Sequence, residues 1–552
     1  MVLQLFLGIL AVVALFLLVS RKRRRLWPLL MLGFLVLIGV LFFEHYRLLS
    51  GRTIVYHWLS YKGLQAQFII TSDAAVTAAL RMLLPALGSL LYLNIICHRE
   101  EYPLAAGNIM LLTLAAFIFM ISSRDFMQLM AGSCCFSILG FYLINETTAK
   151  NKFLFYNFSA EMAVFTALAV VYAKTGTISL DSLGSFARDG WHRDLVGLLL
   201  LIGILIKCGM FLFQNQLLDL QRLGFNRLLE GSLLAAPLSG LVLYAKLHPL
   251  LGASEYTLPV LNTVLALTVL CSLSGMLWND NLKAKILYFN MLFFAFALFL
   301  LSQDAGSFFS AAVILLPAVM LVDWCLMMIS VSASDEIYVS QMGGFIRPLK
   351  WNLILTLGAV AVFAGSVLWL GSGWPFLIYL FVALFALAAI LHAVYLGPCH
   401  ADEKVAALLK NAGWRYVWPL LAVIPLIGYY FPAWSNPLLS GSLLGFLALW
   451  LLLPQKLTNL FAGNEAFQER DWLSEAYQLL IVSPLRLLGR ILWLAVDFVV
   501  IERSVIGTLS SGMGMLERGL EKSQSASWRS YLFLAAVGLA LLLINIGMYA
   551  HE

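Results

Sequence analysis

The sequence predicts an all-α, polytopic membrane helix bundle with about 16 transmembrane helices. Hydrophobic residues make up 62% of the 552 positions, charged residues make up 12%, and the mean hydropathy is +0.90, far outside the averages of soluble proteins. Apolar runs near the length that a bilayer requires recur along the chain. The formal net charge of +6 comes mostly from clusters beside these runs, so it indicates orientation and lipid contact and gives no reason to expect nucleic acid.

Each predicted span is an apolar run of roughly 20 residues. The first, Val2–Val19, ends before the basic cluster Arg21–Arg25 and lacks a small-residue cleavage site, which predicts a retained helix and not a cleaved signal peptide. The positive-inside rule keeps this cluster cytoplasmic, and an even number of spans then predicts extracytoplasmic termini in a cell inner (cytoplasmic) membrane. The spans begin near residues 2, 27, 76, 105, 124, 155, 195, 231, 257, 284, 308, 351, 374, 415, 437 and 530.

Between the second and third spans, the segment Arg52–Asp73 alternates apolar and polar residues around Lys62 and Gly63. A period of two with a glycine at the turn predicts a short extracytoplasmic β-hairpin. An aromatic loop at the membrane interface is the alternative.

The pattern changes again after Pro454. From Leu473 to Leu520, charged residues recur too often for a spanning helix, which predicts a C-terminal lateral amphipathic helix on the membrane surface, interrupted near Pro484. The last apolar run, Tyr531–Met548, predicts a terminal transmembrane anchor.

One lysine, Lys207, stands inside the apolar run LVGLLLLIGILIKCGMFLF, about 18 Å along the predicted helix from Leu195. A charge in the middle of a spanning helix costs at least about 2.5 to 3.5 kcal/mol, and this depth prevents easy snorkelling. One interpretation is that Lys207 faces the bundle interior and joins an ion or proton path. The alternative is that the lysine is neutralised, or paired with a carboxylate, as internal polar glue.

Several segments, taken in order, carry a resemblance that covers almost the whole chain. They are DFMQLMAGSCCFSILGFYLI, NKFLFYNFSAEMAVFTALAVVYAKTGT, LLLIGILIKCGMF, KLHPLL, WNDNLKAKILYFN, MGG, FAG and WLSEAYQLLIVSPLRLLGRILWLAVD. The chain resembles the antiporter-like membrane subunits of respiratory complex I, of the chain 5 type, and of multi-subunit sodium/proton antiporters.

The resemblance implies antiporter-like broken-helix repeats and a division of the chain into four parts. These are residues 1–104 with the N-terminal helices and the hairpin, 105–372 with an antiporter-like core of two helix repeats, 373–454 with additional transmembrane helices, and 455–552 with the lateral helix and terminal anchor.

In that family a row of charged residues crosses the membrane midplane. The resemblance matches Lys207 to the lysine of this row and keeps Asp219 in a following segment, which lacks the family's helix-unwinding prolines and its histidine. Other charged positions of the family fall on uncharged residues here, namely Ser133 with Cys134, then Ala311, Leu315 and Val319, and finally Trp369 with Leu370. The inherited path is expected to be cut, because a proton wire needs titratable groups or water within hydrogen-bond reach.

Other ionisable residues in or beside apolar segments are candidate replacements. Glu161 is a candidate for the lost carboxylate moved to another helix, and Asp323 lies one turn from Val319, though either could merely satisfy a neighbouring helix. The polar segment around Asp280 predicts a helix mouth, and Lys246 and His392 near segment ends are alternatively interfacial anchors. The predicted ion or proton path comprises Lys207, Glu161, Asp219, Glu230, Lys246, Lys283, Lys285, Asp323 and His392.

The sequence therefore predicts a membrane-arm, antiporter-like subunit of a complex I-like, ion- or proton-translocating complex, with a reduced or rerouted path and a largely structural clamping role. At most it is a proton-translocating subunit of an NADH-quinone oxidoreductase-like complex, without a catalytic centre of its own. The expected partners are other membrane subunits and the lipid bilayer.

No cofactor or metal is expected, because the seven cysteines form no CxxC pair and no nucleotide or flavin motif occurs. The alternative function is the membrane partner of an energy-coupled inorganic carbon (bicarbonate/CO2) uptake complex. A free-standing antiporter is a third interpretation.

Overall fold

The structure is a computed structural model and describes the central part of the chain most fully. The predicted spans near residues 2, 27, 76, 415, 437 and 530 lie outside the described residues, apart from residue 537 in the last of them, so the total of about 16 spans stays a prediction. Contacts divide the chain into two units, Met1–Asp471 and Trp472–Glu552. The residues described are 53–61, 64–71, 112–113, 115–144, 147–180, 190–303, 305–332, 338–339, 342, 344, 350–370, 373–396, 483–492, 513–514 and 537.

An antiparallel hairpin precedes the helices and consists of β1 (Thr53–Tyr61) and β2 (Leu64–Thr71). The last residue of β1 pairs with the first of β2, so residues 62–63 form a two-residue connection, the length typical of tight hairpins. The register shifts between His57 and Leu59, which places a bulge in β1. The predicted hairpin is confirmed, and its extracytoplasmic location stays a prediction.

Long helices follow at the positions where the sequence predicts spans between residues 124 and 374. They are α1 (Phe126–Leu143), α2 (Thr147–Thr175), α3 (Gly190–Lys207), α4 (Ala236–Ala253), α5 (Thr257–Trp278), α6 (Leu282–Gln303), α7 (Ala305–Ser332), α8 (Lys350–Leu370) and α9 (Trp374–Leu396). Within the described ranges, the segments long and apolar enough to cross a membrane are Ala149–Thr175, Arg227–Ala253, Thr257–Trp278, Leu282–Gln303 and Trp374–Leu396. The chain is a multi-pass membrane protein.

Side-chain caps begin two of these helices. The Asp125 carboxylate accepts a hydrogen bond from the Gln128 amide at 2.6 Å, which satisfies a free amide in the first turn of α1. Asn281 accepts from the Lys283 amide at 2.9 Å and does the same for α6. Both capping residues lie in polar segments between apolar runs, so the local sequence determines where these two helices begin.

The helices divide into inner and outer members of the bundle. The most apolar windows of Arg227–Ala253 and Leu282–Gln303 are 94% buried, whereas those of Ala149–Thr175 and Thr257–Trp278 are 39% and 44% buried. α3 packs between α2 and α4, and α6 packs against α5 and α7. Polar side chains on α3, α4 and α6 therefore face protein more than the surroundings of the bundle.

A helix near the C-terminus, α10 (Ser483–Leu492), belongs to the second unit. Pro484, near which the sequence predicts an interruption of the lateral helix, lies in the first turn of α10, where the missing N–H costs no hydrogen bond. Arg486 and Arg490 stand one turn apart and are exposed. The described helix α10 is amphipathic. The full length of the predicted lateral helix and its position along the membrane surface stay predictions.

Candidate functional site

The end of α3 is the first feature of the candidate site. Lys207 is the last residue of this helix, whereas the sequence predicted a position near the middle of a spanning helix. The Gly209 amide donates to the Ile206 carbonyl at 3.0 Å, and the Met210 amide donates to the Leu205 carbonyl at 3.1 Å, the two bonds of a Schellman motif. Gly209 adopts a φ of +63°, which a glycine accepts at little cost.

Beyond this end the backbone leaves helical geometry although the segment lacks the prolines and histidine that the resemblance expects there. The Phe211 amide donates to the Thr268 hydroxyl of α5 at 3.1 Å. The Cys271 thiol of the same helix donates to the Gln214 side-chain oxygen at 3.0 Å. Side chains of α5 thus satisfy polar groups that the unwound chain exposes, so tertiary contacts support the break.

The Lys207 ammonium is buried in an ion pair. Its Nζ lies 2.6 Å from Glu161 Oε1 of α2, the Lys207 side chain is fully buried, and that of Glu161 is 10% exposed. The C-terminal end of α3 carries a partial negative charge that also favours a cation. The structure therefore contains the Lys207–Glu161 pair that the sequence suggested, and its role in transport stays a prediction.

Two serines of α1 complete the surroundings of the carboxylate. Ser133 Oγ donates to Glu161 Oε1 at 2.8 Å, and Ser137 Oγ donates to the same oxygen at 3.0 Å. Lys207 Nζ donates to Ser137 Oγ at 3.1 Å. At Ser133, where the resemblance expects part of a carboxylate-bearing dipeptide, a hydroxyl now contacts a carboxylate supplied by α2.

Glycines bring these helices close enough for the contacts. A Cβ added to Gly203 of α3 would lie 2.6 Å from Val164 Cγ2 and 2.9 Å from the Ala160 carbonyl oxygen of α2. A Cβ added to Gly240 of α4 would lie 3.2 Å from Lys207 Cβ. Small residues at helix contacts allow such close backbone approach in membrane bundles.

A second set of buried polar side chains comes from α6, α7 and the π-helical turn before α4. Asp323 of α7 is fully buried beside Leu315 and Val319 on the same helix, and within the described ranges its two carboxyl oxygens have no hydrogen-bond partner. Asn290 of α6 donates to Ser232 of the π-helical turn at 2.9 Å.

Glu230 begins that turn and is 1% exposed. The π-helical turn, Glu230–Leu234, runs directly into α4, with Pro237 in the first turn of that helix. Glu230 is therefore placed at an irregular point of a membrane-length segment, a type of position that is frequently functional.

Three other predicted path residues contact polar groups in or beside connections between helices: Asp219 lies in the connection between α3 and α4, Lys246 inside α4, and Lys283 in the first turn of α6. Asp219 pairs with Lys152 of α2 at 3.0 Å, with half of the lysine side chain exposed. Lys246 donates to the Ser123 carbonyl at 3.1 Å, and Lys283 donates to the Leu223 carbonyl at 2.8 Å. The acceptors of both lysines are backbone oxygens, so these contacts fasten connections between helices.

The segment around Asp280, predicted to be a helix mouth, lies at the connection between α5 and α6, and two of its charged side chains are buried there. Asp280 and Lys285 are each 5% exposed. Lys285 Nζ donates to the Met276 carbonyl at 2.5 Å and to the Leu277 carbonyl at 3.4 Å, oxygens in the last turn of α5. Lys285 is thus a C-terminal cap of α5, because those carbonyls have no amide partner within the helix.

His392 lies four residues before the end of α9 and is 3% exposed. Its Nδ1 has no hydrogen-bond partner within the part of the chain that the structure describes. The prediction of an interfacial anchor is therefore wrong for this residue, since the imidazole is buried.

Of the predicted path residues, the structure brings Lys207 and Glu161 into direct contact. The sequence interpretation missed the roles of Ser137, Asn290 and Ser232. The spacing of four between Ser133 and Ser137 was a usable signal, because it places two hydroxyls on one face of an apolar helix. Asn290 and Ser232 lie on different elements, so no spacing within one helix indicated that they would contact each other.

Comparison with solved structures finds the same fold in two membrane complexes. A chain of the membrane-bound sulfane sulfur reductase, an archaeal respiratory membrane complex, superposes with a TM-score of 0.61 at 14% identity, over 81% of this chain and 99% of that chain. A chain of the Mrp complex from Dietzia sp. DQ12-45-1b superposes with a TM-score of 0.62 at 14% identity, over 100% of this chain and 63% of that chain.

This chain therefore spans just under two thirds of the Mrp chain. No protein-family profile matches it, and no curated protein matches it by sequence. At 14% identity the likeness establishes a shared fold. The predicted polytopic membrane helix bundle is confirmed at the level of the fold that it shares with these two chains.

Proposed function

We propose that the chain is a membrane-arm, antiporter-like subunit of a multi-subunit, complex I-like assembly that moves protons or other ions across the cytoplasmic membrane. The observation that carries the proposal is the buried pair of Lys207 and Glu161 at the end of a broken helix. The fold shared with chains of two membrane complexes supports the multi-subunit setting.

The Lys207–Glu161 pair has the chemistry that a proton-transfer step needs. Its two groups are 2.6 Å apart, so transfer of one proton from the Lys207 ammonium to the Glu161 carboxylate converts an ion pair into a neutral pair. Burial raises the free energy of the ion pair because both charges lose their hydration. The ion pair and the neutral pair are therefore closer in free energy here than they are in water. The pair can therefore change state when a neighbouring charge or proton arrives.

The route beyond the pair is reduced or rerouted. Leu315 and Val319 occupy positions where the resemblance expects titratable residues, and both are fully buried apolar side chains. Asp323 lies one turn beyond Val319, is fully buried, and is the carboxyl on α7 that a rerouted path would use. A chain with such a route contributes less transport and more structural support to its assembly.

The test is Lys207→Ala in the complete complex reconstituted into liposomes. Coupled ion movement is expected to be lost while the complex still assembles, because Glu161 loses its cation. Lys174→Ala, at an exposed lysine in the last turn of α2, is the control and should retain the movement. Unchanged coupling in Lys207→Ala would remove the functional role of the pair.

The composition of the purified complex separates the alternatives. Redox and quinone-site subunits would support the complex I-like assembly, whereas a large zinc-containing, carbonic-anhydrase-like partner would support inorganic carbon uptake. Steady transport by the purified chain alone would favour a free-standing antiporter.

A further inference from the structure

The two oxygens of the Glu161 carboxylate have unequal surroundings. Oε1 accepts from Lys207 Nζ at 2.6 Å, from Ser133 Oγ at 2.8 Å and from Ser137 Oγ at 3.0 Å. Oε2 is buried and has no hydrogen-bond partner within the described ranges. One oxygen is therefore held by three donors, while the other is available to take a proton.

We propose that Ser133 and Ser137 are positioning residues that hold the Glu161 carboxylate toward Lys207 by Oε1 and leave Oε2 as the oxygen that gains and loses the proton. The inference deepens the proposed function and rests on it. The geometry of the ion pair is then held by α1, a helix that carries neither of the two charges.

Ser137 has a geometry that responds to the charge of the pair. Its single hydroxyl proton has two acceptors in reach, Glu161 Oε1 at 3.0 Å and the Ser133 carbonyl of its own helix at 3.3 Å. An anionic carboxylate attracts the proton more strongly than a carbonyl does. When Oε2 becomes protonated, the preference weakens and the hydroxyl can turn to the carbonyl, so the bond from α1 is strongest in the charged state.

Ser133 supplies a second donor on the same face of α1. Its Oγ lies 2.8 Å from Oε1, and the serine is fully buried. A hydrogen bond to a charged acceptor in a dry site contributes more than one in water. The two hydroxyls together therefore favour the anionic form of Glu161 and restrict its rotamer.

Other titratable groups face this carboxylate and belong in any account of its pH response. They are Lys207 of α3 and the thiols of Cys134 and Cys135 on α1. Neither thiol is among the hydrogen-bond donors that hold Oε1, so substitution of either serine leaves both thiols unchanged.

The experiment uses the complete complex in liposomes and records ion movement against pH for Ser133→Ala, Ser137→Ala and the double variant. Removing a donor destabilises the anion, so the pH midpoint should move upward by about one unit for each hydroxyl lost. Ser137→Thr retains a hydroxyl and should restore the original midpoint. Ser159→Ala, which removes a serine bonded to the Phe155 carbonyl of α2, is the matched control and should not change it.

A second readout is the infrared carboxyl band assigned by its loss in Glu161→Gln. The band should shift in both single serine variants and return in Ser137→Thr. Lys207→Ala separates the two proposals: if it abolishes movement while the serine variants change neither midpoint nor band, the positioning role is refuted and the proposed function stands. If Lys207→Ala leaves movement intact, the proposed function fails, and the band alone decides whether the serines position the carboxylate.

Discussion

Two Lys–carboxylate pairs in this chain have the same chemistry and different surroundings. Lys207 is fully buried against Glu161 at 2.6 Å, whereas Lys152 is half exposed beside Asp219 at 3.0 Å. Removing one member of a buried pair costs about 3 to 5 kcal/mol because a charge stays unpaired, while an exposed pair contributes about 0 to 1 kcal/mol. Burial thus gives the first pair the larger effect on the stability of the chain.

Asp219→Asn tests this contrast at the exposed pair. Stability should fall by less than about 1 kcal/mol, because solvent screens the Lys152 charge once its partner is neutral. Coupled ion movement should stay near the level of the unchanged complex. Thermal unfolding and liposome transport provide the measurements, and a complete loss of transport would show that a path through Asp219 persists.

At the scale of elements, the contact between α2 and α3 determines where the two charges meet. Gly203 allows the α3 backbone to lie against the Ala160 carbonyl of α2. The Schellman motif then ends α3 one turn farther along, directly after Lys207. A helix that continued past this residue would not expose the loop that α5 binds through Thr268.

Gly203→Ala should lower stability by about 1 to 3 kcal/mol, since the new Cβ would overlap a backbone oxygen that cannot rotate away. The displaced α2 should also weaken the Lys207–Glu161 contact and reduce ion movement. Gly358→Ala is the control, because nothing lies within 4 Å of its added Cβ in α8. That variant should be neutral or slightly stabilised. Equal melting temperatures for the two variants would contradict the close approach of α2 and α3.

At the scale of the whole molecule, the chain combines a helix bundle with a separate C-terminal unit, Trp472–Glu552. Large apolar side chains on α2, such as Phe155 at 70% and Phe158 at 62% exposed, leave the outer face of the bundle apolar. Such a face suits lipid or a neighbouring membrane subunit. α10, with exposed Arg486 and Arg490, suits the membrane surface.

Removal of Asp471–Glu552 tests the clamping role of the C-terminal part. Neighbouring subunits should be released, because the predicted lateral helix and anchor that hold them are gone. The bundle should keep its thermal stability, since the remaining residues form most of a compact unit of their own. Native electrophoresis of the complex and thermal unfolding of the chain measure the two outcomes. A complex that stays intact would refute the clamp.

The positions of the helices and the hairpin were predictable because both depend on local properties. Hydropathy over roughly 20 residues reports the free energy of placing a segment in a bilayer, and alternation around a glycine reports a hairpin. The burial of Asp280 and His392 was not predictable, because proximity to a segment end does not say whether another helix covers that end.

The sequence by itself determined that this is a polytopic helix bundle with a lysine inside it. The free energy of transferring a segment into a membrane is a sum over the residues of that segment, so it can be read from the sequence. Only the tertiary structure decided that α3 ends at Lys207, that its carboxylate comes from α2 and that two hydroxyls of α1 hold that carboxylate. Lys207 and Glu161 are separated by 46 positions. Contacts over such distances depend on how closely helices pack, a property of several segments together.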